Sequence, residues 1–222
     1  MDCKFIYKTI SEENIVNKTL LWSNDIYEKY NATVSLNGEL IVCVNPEKRK
    51  VLSKKLVKES YQEYLEYISK HNFEKEKWIY NIINGEAEQD SILFRDLEQQ
   101  LVIIPSYTWD QTNKNKLHIL GIHTNLEKRC LRDLTLEDVS WLKNTVKVGT
   151  KSILEKYGLT KDKIKTFIHY EPSSYQLHIH FMNTENVEAN SSCEYSHEVN
   201  GVIFNLQLDG DYYKKIKLLK RV

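Results

Sequence analysis

Two histidines one residue apart stand inside an otherwise apolar run, "SYQLHIHFMN" at residues 174–183. If this run is a strand, successive side chains point to opposite faces, so His178 and His180 share one face while Leu177 and Ile179 share the other. The run therefore predicts a strand with one apolar face and one face that carries imidazoles. Such imidazoles can bind a transition metal, can hydrogen-bond one another at a sheet surface, or can act as nucleophile, base or phosphate ligand.

A third histidine joins this face through the preceding strand. "IKTFIHY" at residues 164–170 is typical of a strand, and the few residues that follow it are too short for a crossover, so an antiparallel hairpin is expected. A hairpin symmetric about Ser173-Ser174 places His169 opposite His178, with Cβ atoms about 4.5 to 5.5 Å apart. We therefore expect three imidazoles to converge on one surface.

Each interpretation of this face requires different neighbouring residues. A zinc site would use the H-x-H pair and the histidine across the hairpin, but no cysteine or carboxylate shares the face nearby, although Glu171 is close in sequence. Purely structural histidines would more often occur singly than as three on one face. A nucleophile needs polar groups that hold a phosphate, and Ser173, Ser174 and Tyr175 place hydroxyls beside the face.

The elements around the histidines follow from periodicity and capping signals. "LVIIP" and "KLHILGIH" predict two more strands. "TLEDVSWLKNTVKVGTKSILEKYG" predicts a helix with Thr135 as its N-cap, Asp138 near its third position and Gly158 as its stop. The second half of the chain should therefore contain an antiparallel sheet and a helix.

The first half carries signals for hairpins and a long helix. Asn37-Gly38, within "ATVSLNGELIVCV", predicts a tight hairpin. The charged segment after Pro46 predicts a long amphipathic helix that breaks near Glu59-Ser60. "WIYNIINGEAEQDSILF" predicts two strands joined by a turn at Asn84-Gly85, and the polar "RDLEQQ" that follows suggests a junction between two halves.

Composition limits the class of protein. The 222 residues contain 31 basic and 31 acidic side chains, and this balance argues against binding of long nucleic acids but allows a small anionic ligand in a local site. The sequence shows no apolar run long enough for a membrane helix and no secretory leader, so no membrane association is expected. Four scattered cysteines fit a reducing compartment.

The segment "HYEPSSYQLHIHF" resembles the histidine triad motif in the form carried by the scavenger mRNA decapping enzyme family. "WIYNIINGEAEQDSILF", "LVIIPSYTWDQ" and "CLRDLTLEDVSWLKN" also resemble segments of that family, in the same order. The resemblance covers residues 78–183, and residues 1–77 match it only weakly.

The resemblance implies a fold, an activity and an assembly. It implies an α+β chain with a dimerisation and cap-binding domain of strands and a long helix at residues 1–98, and a histidine triad catalytic domain at residues 99–222. It further implies hydrolysis of the 7-methylguanosine cap dinucleotide, or of a short capped RNA, to 7-methyl-GMP and a diphosphate through a nucleotidyl-histidine. No metal or other cofactor is implied. A homodimer with exchanged N-terminal segments, in cytoplasm and nucleus, is expected.

The resemblance also assigns roles on the phosphate side of the substrate. His178 corresponds to the nucleophile, His180 and His169 to phosphate contacts, and Ser173 to a further phosphate contact.

Other residues correspond to the family's cap-recognition groups. Trp78 corresponds to the ring that stacks on the cationic methylated guanine, and Glu88 to the carboxylate that binds the guanine edge. Lys48, with Lys50 as second choice, corresponds to a lysine that reaches the cap phosphates.

Four positions depart from the family pattern. Gln176 replaces the first histidine of the triad, Ser106 and Thr108 replace an aspartate and a lysine, and Ser174 replaces a tyrosine. The loss of a cation near the phosphates should weaken transition-state stabilisation by one to a few kcal/mol, as an order of magnitude. Two alternatives therefore stay open: a cap-binding protein with weak or lost hydrolysis, and a hydrolase of other dinucleoside polyphosphates.

Overall fold

A computed structural model describes residues 17–23, 27–33, 37–43, 55–186 and 195–221 of the chain. The strands in these ranges are β1 (Asn17–Ser23), β2 (Tyr27–Thr33), β3 (Asn37–Cys43), β4 (Leu56–Glu59), β5 (Phe94–Asp96), β6 (Leu101–Pro105), β7 (His118–His123), β8 (Ile164–His169), β9 (His178–Asn183), β10 (Ser196–Glu198) and β11 (Leu218–Arg221). The helices are α1 (Tyr61–Ile68), α2 (Lys77–Asn84), α3 (Val139–Tyr157), α4 (Val199–Leu208) and α5 (Tyr212–Lys215). None of the described helices is long and apolar enough to cross a membrane.

The chain divides into two units, residues 1–53 and residues 54–222. This structural boundary differs from the division proposed at residue 98, because β5, which contains part of "RDLEQQ", pairs with β6 in the main sheet. The functional division into residues 1–98 and 99–222 stays a prediction.

The first unit contains an antiparallel sheet in the order β1-β2-β3. The hairpin predicted here is confirmed, but the position of its turn is wrong. Asn37 pairs with Thr33 and Gly38 pairs with Ala32, so both residues of the expected turn lie inside β3. The connecting residues 34–36 lie outside the described residues.

The second unit contains a six-stranded sheet in the order β10-β8-β9-β7-β6-β5, in which all neighbours are antiparallel. The four strands predicted in the second half of the chain are present as β6, β7, β8 and β9. With the helices that pack on this sheet, they confirm the predicted α+β class.

One face of the six-stranded sheet is apolar and lies under α3 and α4. A hypothetical Cβ at Gly149 of α3 would lie 2.4 Å from the Phe181 ring on β9, so the close approach of helix and strand requires a glycine. The cluster buried between sheet and helices includes Leu101, Ile103, Ile119, Ile168, Leu177, Ile179, Phe181, Val202 and Leu206. This face supplies the main core.

The predicted ends of the long helix α3 are confirmed. Thr135 and Asp138 form a reciprocal capping box around a short 3-10 turn that leads into α3. Gly158 follows the last residue of α3 in the left-handed conformation, with φ 69°.

The helix α2 covers part of the opposite sheet face. Its buried residues Ile79, Ile82 and Ile83 recur at helical spacing and pack on β6 and β7. Their partners in the sheet are Val102, Ile104, Leu120 and Ile122. The part of this face formed by β9 and β8 carries the histidines.

The segment of α2 was predicted as two strands, and this prediction is wrong. The isoleucines that suggested strands instead follow the three- and four-residue spacing of a buried helix face. Gly85, at the expected turn, is the left-handed C-cap of α2 with φ 83°. Only the end of the segment forms a strand, β5.

The long helix predicted after Pro46 is also not as expected. Residues 56–59 form β4, which pairs with β11 near the other end of the chain. The helix α1 begins after Ser60, whose side chain forms a capping box with Glu63. The predicted break near Glu59-Ser60 therefore marks a change from strand to helix, and residues 47–54 lie outside the described residues.

Candidate functional site

The pairing of β8 with β9 sets the position of the histidines. Thr166 pairs with Phe181 and Phe167 pairs with His180. Continued by two residues, this register places His169 opposite His178. The symmetric hairpin predicted from the sequence is thus confirmed.

The three predicted imidazoles lie together on one face. The ring centroid of His180 lies 4.8 Å from that of His178 and 4.3 Å from that of His169. Leu177 and Ile179 are buried in the main core on the other face. The expected convergence is confirmed, whereas the chemical roles of the three residues stay predictions.

The backbone holds the His178 ring in one tautomer. Nδ1 of His178 lies 2.7 Å from the carbonyl oxygen of Gln176, and a carbonyl can only accept, so Nδ1 carries the proton. The neutral ring then has a lone pair on Nε2, and no described residue hydrogen-bonds this atom. Gln176 itself donates to the carbonyls of His123 and Asn125, at 2.5 and 3.1 Å. The residue that replaces the first triad histidine therefore anchors the strand that carries His178.

Burial keeps the imidazoles of this face neutral. It lowers the pKa of His178, lowers the pKa of His180 well below the usual value, and lowers the pKa of His169 to about 3. For His180 and His169, the nearby imidazoles oppose protonation further. At neutral pH these rings therefore offer lone pairs and N–H donors rather than positive charge.

A fourth histidine, His118 on β7, joins the face and was not predicted. Its ring stacks on that of His180 with centroids 5.1 Å apart, and its Nε2 lies 2.8 Å from Nδ1 of His180. Burial lowers its pKa to about 4. His118 shares its strand face with the apolar Leu120 and Ile122, so the sequence carried only a weak signal for it. Its contact with His180 depends on the pairing of β7 with β9, which are not consecutive strands.

The loop between β8 and β9 holds the predicted hydroxyl groups. Ser173 is exposed and Ser174 is half-buried. Tyr175 is buried in the main core, where its hydroxyl donates to Glu171 at 2.9 Å and its backbone N–H donates to Glu76 at 3.0 Å. The two serines, but not the tyrosine, thus keep hydroxyls available for a ligand.

The predicted cap-recognition residues lie at opposite ends of α2. Trp78 is half-buried in the first turn and contacts Tyr107 edge to face, with ring centroids 5.9 Å apart. Glu88 is exposed and follows the end of the helix, in the left-handed conformation with φ 55°. Lys48 and Lys50 lie outside the described residues.

A metal site in the described part of the chain would need several suitable side chains close together. No group of three or more histidine, cysteine, aspartate or glutamate side chains there has an arrangement that could hold a metal ion. The contact between His118 and His180 is a hydrogen bond that uses one nitrogen of each ring.

Comparison with known families agrees with the geometry of the site. The family model described as "Scavenger mRNA decapping enzyme C-term binding" matches residues 77–193. The chain belongs to this family. The matched range includes α2, the loop between β8 and β9, and the three triad histidines.

Curated relatives in this family are similar over most of the chain. The m7GpppX diphosphatase of Rattus norvegicus is 33% identical over 210 residues, which cover 88% of this chain and 62% of the relative. The m7GpppX diphosphatase of Homo sapiens is 32% identical over 209 residues, with the same coverage of 88% and 62%. The chain thus spans less than two thirds of the length of these relatives.

The solved structure of an aprataxin orthologue from Schizosaccharomyces pombe also gives a match. The match is 16% identical and covers 60% of this chain and 76% of that chain, with a TM-score of 0.37. This TM-score is too low to establish a common fold.

Proposed function

We propose that the protein hydrolyses the 7-methylguanosine cap dinucleotide, or the cap of a short oligoribonucleotide left by mRNA decay, to 7-methyl-GMP and a diphosphate. The observation that carries the proposal is the His178 ring, whose Nδ1 is held by a carbonyl while its Nε2 has no described partner. Curated m7GpppX diphosphatases that match 88% of the chain support the substrate class.

In the proposed mechanism, Nε2 of His178 attacks the phosphorus next to the methylated guanosine. A P–N bond forms while the P–O bond to the second phosphate breaks, and the leaving diphosphate takes that electron pair. Water then attacks the same phosphorus, the P–N electron pair returns to the ring, and a proton is released to solvent. His180 and His169 contact the phosphate oxygens and stabilise the charge that develops there.

Recognition of the base is assigned to the residues around α2. Trp78 stacks on the cationic methylated guanine and Glu88 accepts hydrogen bonds from its edge. Ser173 and Lys48 contact the phosphates, and Lys50 is the second choice for the lysine. The partly exposed ring of Trp78 and the exposed hydroxyl of Ser173 are compatible with these roles.

The proposed assembly is a homodimer with exchanged N-terminal segments, and the proposed locations are cytoplasm and nucleus. Both come from the family resemblance. Light scattering of the pure protein tests the first, since a monomeric mass would contradict it. Imaging of the tagged protein in cells tests the second.

The test of function is incubation of the pure protein with cap dinucleotide in ¹⁸O-labelled water. We expect one ¹⁸O atom in 7-methyl-GMP and none in the diphosphate, because water attacks the phosphorus bound to His178. Label in the diphosphate would place the attack at another phosphorus.

Tight binding without turnover would favour the alternative of a cap-binding protein, motivated by Ser106, Thr108 and Ser174. Faster cleavage of diadenosine tetraphosphate would favour the other alternative.

A further inference from the structure

Three side chains without a predicted role form a hydrogen-bonded chain that ends on His180. The hydroxyl oxygens of Ser106 and Thr108 lie 2.9 Å apart, and Oγ1 of Thr108 lies 3.1 Å from Nδ1 of His118. Nε2 of His118 lies 2.8 Å from Nδ1 of His180. These hydrogen bonds therefore connect the loop after β6 with the histidine face, the sheet face that carries His118, His169, His178 and His180.

The available donors and acceptors favour one direction for this chain. Oγ of Ser106 already accepts the backbone N–H of Thr108 at 3.4 Å, and no other acceptor for its hydroxyl lies among the described residues. In this direction the Ser106 hydroxyl donates to Thr108, Thr108 donates to Nδ1 of His118, and Nε2–H of His118 donates to His180. Nδ1 of His180 is then an acceptor, so the proton of this neutral ring lies on Nε2.

The far nitrogen of His180 lacks a hydrogen-bond partner among the described residues. This atom, Nε2, is also buried. A buried N–H without a partner costs about 1 to 3 kcal/mol, so an acceptor supplied by a ligand would recover that free energy. Phosphate oxygens are strong acceptors, whereas a lone pair on Nε2 would repel them.

We propose that Ser106, Thr108 and His118 form a relay that holds His180 with its proton on Nε2, as a donor to a phosphate oxygen of the substrate. The three are positioning residues, since they act through His180. The identity of the acceptor rests on the proposed function, but the relay does not. Ser106 and Thr108 replace an aspartate and a lysine of the family pattern, and in this relay they position His180 instead of contacting phosphate.

The first test measures the tautomers directly and needs no activity. Long-range ¹H–¹⁵N correlation spectra of protein with ¹⁵N-labelled histidine identify which nitrogen of each ring carries the proton. We expect Nε2–H for both His118 and His180 in the wild type. Thr108→Val removes the hydroxyl and keeps the shape, so it should leave a mixture of tautomers, whereas the matched Thr108→Ser should keep the wild-type tautomers. A wild-type His180 protonated on Nδ1, or tautomers unchanged in Thr108→Val, would overturn the relay.

The second test measures catalysis in the same variants. Thr108→Val should lower kcat by about 2- to 10-fold with little change in KM, and Thr108→Ser should restore it.

His118→Phe should lower kcat on the order of 100-fold, because the donor to phosphate is no longer held. His118→Gln should recover part of this loss, since its amide nitrogen can donate from the position of Nε2. Equal kcat in Thr108→Val and Thr108→Ser would contradict a role of the relay in catalysis.

A third measurement separates failure of the relay from failure of the proposed function. If the wild type does not hydrolyse cap at all, the function proposal fails, yet the spectra still decide the tautomers. Adding cap dinucleotide to His178→Asn protein should shift the His180 Nε2–H resonance, because a phosphate oxygen becomes its acceptor. Saturating binding without any shift would overturn the phosphate contact and leave the relay standing.

Discussion

Alternate residues of the same strands build two different faces of the six-stranded sheet. On the face under α3 and α4, Ile179 and Phe181 are fully buried among apolar side chains. On the opposite face, His178 and His180 are almost as deeply buried, at 8% and 6% exposure, but present ring nitrogens. Burial therefore has two effects in one sheet: it removes apolar surface from water on one face and keeps imidazoles neutral on the other.

The two faces are expected to contribute differently to the stability of the fold and to the proposed reaction. The apolar face gains free energy from the area removed from water, at about 25 cal/mol per Å². The histidine face gains little, since a buried nitrogen such as Nε2 of His180 lacks a partner. We therefore expect substitutions on the first face to change unfolding and substitutions on the second to change the reaction.

The largest effect is expected from His178→Asn. The asparagine amide can still donate to the carbonyl of Gln176 in place of Nδ1, while the nucleophilic Nε2 is lost. Hydrolysis of cap dinucleotide should fall by about three or more orders of magnitude. Affinity for the cap should stay near that of the wild type, because the proposed base contacts, Trp78 and Glu88, are unchanged.

The measurements are product separation by chromatography, binding by calorimetry, and unfolding in urea. An unfolding free energy within about 1 kcal/mol of the wild type would support the separation of the two faces. If the variant hydrolyses cap as fast as the wild type, His178 is not the nucleophile.

The sequence predicted the histidine face because its signals are local. His178 and His180 alternate with apolar residues, and the short connection to β8 allowed only an antiparallel hairpin, so the register of His169 followed from symmetry. The ends of α3 were likewise predictable from Thr135 and Gly158, because their capping roles depend on neighbours a few residues away.

The remaining features depend on contacts that are distant in sequence. β4 is a strand because it pairs with β11, and Glu59 at its end binds Lys220 at 2.6 Å across the same pair. His118 contacts His180 through the pairing of strands that are not consecutive. The helix α2 differs from its prediction for another reason: its isoleucines have high strand propensity, but they recur at the spacing of a buried helix face.

Gly149→Ala tests the apolar face. The new methyl group would lie 2.4 Å from the Phe181 ring, so helix and strand must move apart. The control is Gly201→Ala on α4, whose Cβ would meet only the Glu198 carboxylate at 3.8 Å. Because both changes gain the same helix propensity, Gly149→Ala should be less stable than the control by about 1 to 3 kcal/mol in urea unfolding. Equal stability would mean that the contact with Phe181 is not tight.

The pH dependence of stability tests the histidine face. Burial lowers the pKa of His169 to about 3 and that of His118 to about 4 in the folded chain, whereas an unfolded histidine titrates near 6.5. The unfolded state therefore binds protons first, so stability is full above about pH 6.5 and falls as the pH drops towards these values. Each such imidazole lowers the unfolding free energy by up to about 1.4 kcal/mol for each pH unit of this fall. In urea unfolding at several pH values, the slope of the unfolding free energy against pH below about pH 6.5 reports the protons taken up on unfolding. His169→Asn should reduce that uptake by about one proton. An unchanged slope would show that this imidazole is not buried in its neutral form.

The smallest effect concerns the proposed base contacts, Trp78 on α2 and Glu88 beyond its end. Only the methylated guanine is cationic, so Trp78→Ala should lose about 0.5 to 2 kcal/mol more affinity for methylated cap than for its unmethylated analogue. Trp78→Phe, a weaker cation-π partner of similar shape, should show a smaller difference. Glu88→Gln should weaken both analogues equally, because the guanine edge is the same in each. Calorimetric titration of His178→Asn protein carrying each change isolates binding from hydrolysis. If Trp78→Ala weakens both analogues equally, the ring only supports the packing of α2, and the base is bound at another surface.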